Sequence, residues 1–350
     1  MKKLIVICLS LLGLAWAGLQ FGLGMSPLAM KANIEVGSAM GSKLACSARY
    51  LTGLGAEQAM DDLASYSAAS RQFTIDYDDE RGGVASNLQG FASTSARYRP
   101  GLGCTLDYGD TSALDAVVVP ELVASSADWP LGSTVPTIEA GLQLELDEIL
   151  QRDNDAGLQT RALLVVSSDG ILAESYARGF DETTPLLGWS MGKSLTAIML
   201  GHMELLGQMS VDEQALFPQW SDDERASISV EQLLQMSSGL GFDETYAPGH
   251  DATRMLFLAH SASDVALESP QLQPPGAHFY YSSGTTNLLQ RLMFDRLGGL
   301  QGSVDFLYEK IFQPLAMTHS ILEPDPSGVF VGSSYIYASG RDWARLGSLM

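Results

Sequence analysis

Gly188-Trp189-Ser190-Met191-Gly192-Lys193-Ser194 opens an apolar run that continues to Leu206. Residues three apart on a helix share a face, so Ser190 and Lys193 would present a hydroxyl and an amine side by side. A serine alkoxide is hard to make near neutral pH, and a neutral amine within reach can take the proton. Desolvation and the positive end of a helix both favour that neutral amine. The same helix start aims backbone N–H groups at an oxygen that becomes negative during attack. Ser190 alone is equally well read as an N-cap, so the weight of the tetrapeptide depends on what else the chain carries. The run predicts a helix from Ser190 to about Leu206, apolar on most faces, buried at the centre of its domain and stopped by Gly207.

Upstream, Leu142, Leu146, Ile149 and Leu150 recur at helical spacing from near Ile138. Ala162–Val166 and Ile171–Tyr176 flank Asp169-Gly170, a two-residue hairpin signal. Downstream the pattern is mostly helical. Ser229-Val230-Glu231-Gln232 is a capping box ahead of Leu233 and Leu234, closed by Ser237-Ser238-Gly239. Asp251–His260, about Thr285 to Leu297, and Ser303–Phe312 read as further helices, and Pro274-Pro275-Gly276 turns the chain into Phe279-Tyr280-Tyr281-Ser282-Ser283.

The chain has 350 residues, which suggests about two domains, and its formal charge of -21 argues against a nucleic-acid partner. Lys2 and Lys3 precede an uncharged stretch from Leu4 to about Met30, with Ala15-Trp16-Ala17 offering a cleavage pattern. Residues 1–30 therefore read as a signal peptide or, through residues 4–24, a membrane anchor, with the body facing out of the cytoplasm. Residues 31–109 form a small N-terminal module with a helix over Ala56–Tyr66 and strands at Phe73–Tyr77 and from Val84 onward. Residues 110–137, rich in Ser, Pro and Gly, read as a surface linker, and 138–350 as the main domain. Cys8 falls in the targeting segment, leaving Cys46 and Cys104 as an even pair in an exported chain. They are a plausible disulfide, with two buried free thiols the alternative. Cys-x-x-Cys and His-Glu-x-x-His are absent and the five histidines are scattered, so neither metal nor cofactor is expected.

Ser190-Met191-Gly192-Lys193 followed by Tyr281-Ser282-Ser283 resembles the first two motifs of the serine β-lactamase-like hydrolases. That family includes class C β-lactamases, penicillin-binding D-Ala-D-Ala peptidases, related esterases and 6-aminohexanoate-dimer hydrolase. Ser229–Leu240, Leu315-Ala316-Met317 and Tyr337–Leu346 resemble flanking segments of the family, and Tyr98–Cys104 resembles a stretch of the 6-aminohexanoate-dimer hydrolase-like members. The resemblance implies an α/β (α+β) fold, an antiparallel sheet flanked by helices plus a mostly helical subdomain. It also implies an acyl-enzyme mechanism on a small ester or amide. Carried over, Ser190 is the nucleophile, Lys193 its base and Tyr281 the proton relay to the leaving group. The backbone N–H of Ser190 would be one oxyanion donor.

Two departures matter. Lactamases typically carry Asn where this chain has Ser283, which shifts the expectation from β-lactams toward esters and small amides. The family's third motif, on a returning strand, is not among these residues, so the main domain is expected to be incomplete at its C-terminal end and weakly active without it. Rival readings are a β-lactamase or D-Ala-D-Ala carboxypeptidase, and a non-catalytic ligand-binding relative. Gly188–Gly192 also fits Gly-x-Ser-x-Gly, the nucleophile elbow of α/β-hydrolases, which requires a parallel strand directly before it and a later histidine such as His319.

Overall fold

A computed structural model describes residues 27–90, 92–168 and 170–350. Residues 1–26 of the expected signal or anchor segment lie outside the described residues, and its residues 27–30 open the first described helix. Among the described residues no helix is long and apolar enough to cross a membrane.

The first described element is helix α1, Pro27–Ser47, which apolar periodicity does not announce. Its buried face mixes small residues, Ser38, Ala39, Ser42, Ala45 and Cys46, with Val36, Lys43 and Leu44. A Cβ at Gly37 would lie 2.6 Å from the Phe73 ring, and one at Gly41 2.5 Å from Ser86 Oγ. The Ser38 hydroxyl donates to Ser86 O at 2.6 Å. This face lets the helix sit close on an antiparallel meander of β1 Thr74–Asp78, β2 Gly83–Asn87, β3 Ser93–Arg99 and β4 Gly103–Leu106. Helix α2, Ala56–Tyr66, buries Ala59 and Leu63 beside it. Cys46 and Cys104 are disulfide-bonded, tying α1 to β4.

Helix α3, Ala140–Asp155, turns Leu146 and Leu150 onto the hairpin of β5 Ala162–Ser167 and β6 Gly170–Tyr176. Gly170 already pairs with Ser167. The turn therefore falls one residue earlier than Asp169-Gly170 suggests, and Asp169 itself lies outside the described residues. Short strands then form a second antiparallel sheet in the order β7 Leu186–Leu187, β9 Ile336–Ala338, β8 Ser320–Leu322. Two- and three-residue strands are too short to leave a period in the sequence.

Between β7 and β8 the chain is helical. Helix α4, Gly192–Leu205, follows a tight turn at Trp189–Met191. Its burial corrects the expectation of a helix enclosed on most faces. Leu195, Thr196, Met199, Leu200 and Met203 are buried, whereas Ala197, Gly201 and Leu205 are exposed. The helix lies against the domain with one side only. Helix α5, Val230–Leu234, starts with the expected capping box, Ser229 and Gln232 each satisfying the other's backbone N–H. Then come α6 Asp251–Phe257, α7 Ala262–Leu267, α8 Ser283–Arg296 and α9 Leu300–Asp305, which runs on as a wider turn over Phe306–Phe312. Helix α10, Gly340–Gly347, is the last. Among the described residues all strand pairings within the three sheets are antiparallel, with helices packed against them, as the expected fold class requires.

Candidate active site

The turn that carries Ser190 is shaped by its neighbours. Trp189 has φ +43, a left-handed conformation that costs a side-chain-bearing residue about 1–2 kcal/mol. Its indole is held on both sides. Nε1–H donates to the Tyr66 hydroxyl at 3.0 Å, and the ring packs edge-on against Tyr66 and tilted against Tyr335. A Cβ at Gly188 would stand 2.0 Å from the Trp343 ring, and one at Gly192 2.5 Å from Gly332 O. These glycines let the turn approach α10 and the segment leading to β9.

On this turn Lys193 Nζ lies 3.1 Å from Ser190 Oγ. The amine also lies 3.0 Å from Ser283 Oγ and 3.0 Å from the backbone oxygen of Ser333. Tyr281 comes from the irregular segment before α8, with its ring centroid 4.9 Å from Nζ and its side chain partly open to solvent. The next residue, Ser282, caps α8 by accepting from Thr285 N–H at 3.2 Å. That cap fixes where Ser283 enters the site. The structure thus brings Ser190, Lys193 and Tyr281 into one cluster. Ser190 and Tyr281 face solvent and Lys193 is half-buried.

Three further groups belong to this cluster and had no signal in the sequence. Glu244 accepts the Ser283 N–H at 2.7 Å through Oε2 and the Ser283 hydroxyl at 2.6 Å through Oε1. The Tyr246 hydroxyl donates to Glu244 Oε1 at 2.7 Å and lies 3.1 Å from Ser283 Oγ. Burial, with Glu244 adding to it, pushes the Tyr246 phenol well above its ordinary range. The third group is the Ser333 carbonyl. Both acidic and aromatic residues abound in loops, so Phe242–Tyr246 carries nothing that marks it in isolation.

The strand before Ser190 has two residues and pairs antiparallel with β9. A nucleophile elbow needs a parallel strand there, so the α/β-hydrolase reading does not fit. A cleft of about 600 Å³ opens elsewhere, lined by Asp62, Asp147, Arg161 and Tyr176. Its Ser175 hydroxyl donates to Asp147 Oδ1 at 2.6 Å, but no lysine or histidine among the described residues lines it, whereas Ser190 has the Lys193 amine beside it.

Fold and site together define a β-lactamase-type domain. Residues 146–349 match the β-lactamase family model, and the chain belongs to that family. A solved Bacillus anthracis protein assigned as a 6-aminohexanoate-dimer hydrolase is similar at 20% identity and TM-score 0.50, over 67% of this chain and 63% of that one. A Bacteroides dorei protein assigned as a β-lactamase is similar at 23% identity and TM-score 0.49, over 59% and 62%. A Bacillus halodurans penicillin-binding protein follows at 18% identity and TM-score 0.46, over 57% and 72%. This chain therefore spans less than two thirds of the length of the first two. No curated protein sequence matches it.

Proposed function

We propose that the protein is a serine hydrolase that opens a small ester or amide through an acyl-enzyme, in the manner of 6-aminohexanoate-dimer hydrolase and related esterases. The observation that carries this reading is the 3.1 Å approach of Lys193 Nζ to Ser190 Oγ with the Tyr281 ring beside the amine. The neutral Lys193 amine takes the Ser190 proton as Oγ attacks the acyl carbon. The Ser190 backbone N–H steadies the resulting oxyanion. Tyr281 then passes a proton to the leaving alcohol or amine as its bond to the acyl carbon breaks. Water hydrolyses the Ser190 ester in the second half, its proton returning to the same groups. Glu244 holds a negative charge one hydroxyl away from the amine.

The test is a chromogenic screen of p-nitrophenyl esters, a cephalosporin and the 6-aminohexanoate dimer, run beside Ser190→Ala. Ester or dimer turnover that vanishes in Ser190→Ala supports the reading. Faster opening of the cephalosporin would move the protein to the β-lactamase or D-Ala-D-Ala carboxypeptidase class. Binding without turnover would make it a non-catalytic relative. We also place the protein outside the cytoplasm, a reading supported by its Cys46–Cys104 disulfide. Alkylation of the protein as isolated from its host, before and after reduction, checks this, and two thiols free from the outset would refute it.

A further inference from the structure

We propose that Glu244 sets the direction of the hydrogen bonds around Lys193, so that the lone pair of the amine faces Ser190. The inference rests on the reading of Ser190 as nucleophile and Lys193 as base.

Lys193 Nζ has three oxygen neighbours, Ser333 O, Ser283 Oγ and Ser190 Oγ. A neutral primary amine offers two N–H groups and one lone pair, so one neighbour must face the lone pair. Ser333 O is a carbonyl and only accepts, which commits the first N–H. The two remaining neighbours are hydroxyls, each with a single proton to give.

The Ser283 proton is already claimed. Its Oγ lies 2.6 Å from Glu244 Oε1, the short separation of a charge-assisted O–H···O⁻ bond. The other oxygen within reach on that side, the Tyr246 hydroxyl at 3.1 Å, also points its own proton at Glu244. Whichever of the two receives it, the Ser283 proton is directed away from Lys193. Ser283 Oγ therefore accepts the second N–H of the amine. Only the Ser190 hydroxyl is left to donate, and it meets the lone pair, which is the arrangement proton removal requires.

A carboxylate does this because both its oxygens accept. One takes the Ser283 N–H and the other the Ser283 and Tyr246 hydroxyls. A carboxamide of the same shape has one accepting oxygen. With that oxygen on the Ser283 N–H, its NH₂ would donate to Ser283 Oγ and turn the serine proton toward the amine. The lone pair would then face the wrong hydroxyl. Glu244 is thus a positioning residue acting through Ser283. It also satisfies the first amide of α8, a capping role that stabilises the helix whether or not the protein is an enzyme.

The experiment measures phosphonylation of Ser190 by a fluorophosphonate, with peptide mapping, together with p-nitrophenyl acetate turnover, from about pH 5 to about pH 9. It compares the protein with Glu244→Gln, Ser283→Ala and the double variant, each checked for folding by near-UV circular dichroism. Glu244→Gln should react about tenfold or more slowly at the pH plateau, and the double variant no more than about twofold slower than the slower single. A carboxylate acting through charge alone would, on removal, favour the neutral amine and raise the rate on the acid side. A mere helix cap would lower the melting temperature and leave the rate unchanged. Either result, or additive losses in the double variant, overturns the proposal. Should Glu244→Gln fail to fold, an unchanged rate in Ser283→Ala overturns it alone. Failure of the parent protein to label at Ser190 sinks the hydrolase reading beneath it, which the variants by themselves do not.

Discussion

Two lysines in this molecule sit in opposite surroundings. Lys43 on α1 is fully buried in direct contact with the Glu323 carboxylate, beside Ser47 Oγ and 4.1 Å from the Tyr335 ring centroid. Glu323 in turn accepts from Ser47 Oγ at 2.8 Å and from Cys104 N–H at 2.6 Å. Burial pushes the Lys43 amine down and the Glu323 carboxyl up, and each opposes the shift of the other. That pair is a lock between the first helix, the disulfide and the segment after β8. Lys193 is half-buried, with two hydroxyls and a carbonyl around Nζ and its nearest acid one hydroxyl removed. Lys43 faces a carboxylate in a closed interior, whereas Lys193 has the solvent-facing Ser190 hydroxyl within reach, and only the second geometry can serve a base.

The comparison breaks first at Lys193. Lys193→Met should lower kcat/KM for a p-nitrophenyl ester by about 10²–10⁴-fold with little change in the unfolding midpoint. A comparable rate in a folded Lys193→Met protein would remove the distinction between the two lysines. At the other pole, Glu323→Ala strands a buried ammonium and should cost about 3–5 kcal/mol in denaturant unfolding. The double replacement Lys43→Met with Glu323→Leu should recover most of that loss, because no charge is left without its partner. Equal costs for the single and double variants would mean that the contact, not the charge, carries the lock.

Asp325 sharpens the contrast, being a buried carboxylate with no cation against it among the described residues. It accepts backbone N–H groups of Ala262, Ser327 and Val329 and the Ser327 hydroxyl. Burial nevertheless pushes its carboxyl up to about 6. A folded-state value above the unfolded one means that the folded protein holds the proton more tightly. The stability this gives is complete below about pH 4 and is lost as pH rises through about 6, about 3 kcal/mol in all. Asp325→Asn should flatten the unfolding free energy across that window, and an unchanged slope would locate the pH dependence elsewhere. The smallest effect concerns the turn. Tyr66→Phe removes the acceptor for the Trp189 indole and should cost about 1 kcal/mol, with a kcat a few-fold lower at unchanged KM.

Much of this was legible in the sequence where a signal is local. The capping box at Ser229, the Ala56–Tyr66 helix, the β5–β6 hairpin and the placement of Ser190 beside Lys193 follow from spacing that a few residues set. Tyr281 reached the cluster through motif resemblance, and the fold class came the same way. What escaped has a common cause. Helix α1 packs serine, alanine and glycine between Val36, Met40 and Leu44, which dilutes its apolar pattern. The burial of α4 on one side only depends on what packs against it, which its own residues do not state. Glu244 lies 39 positions from Ser283 and touches it only because α8 and the loop after α5 meet. Long-range polar contacts of that kind leave no trace in either partner's neighbourhood.

The most direct measurement is the rate of fluorophosphonate labelling of the protein and of Lys193→Met, read by mass and mapped to a residue. We expect one adduct on Ser190, formed at least about a hundredfold more slowly in Lys193→Met. Labelling at another residue, or equal rates in the two proteins, would contradict the account.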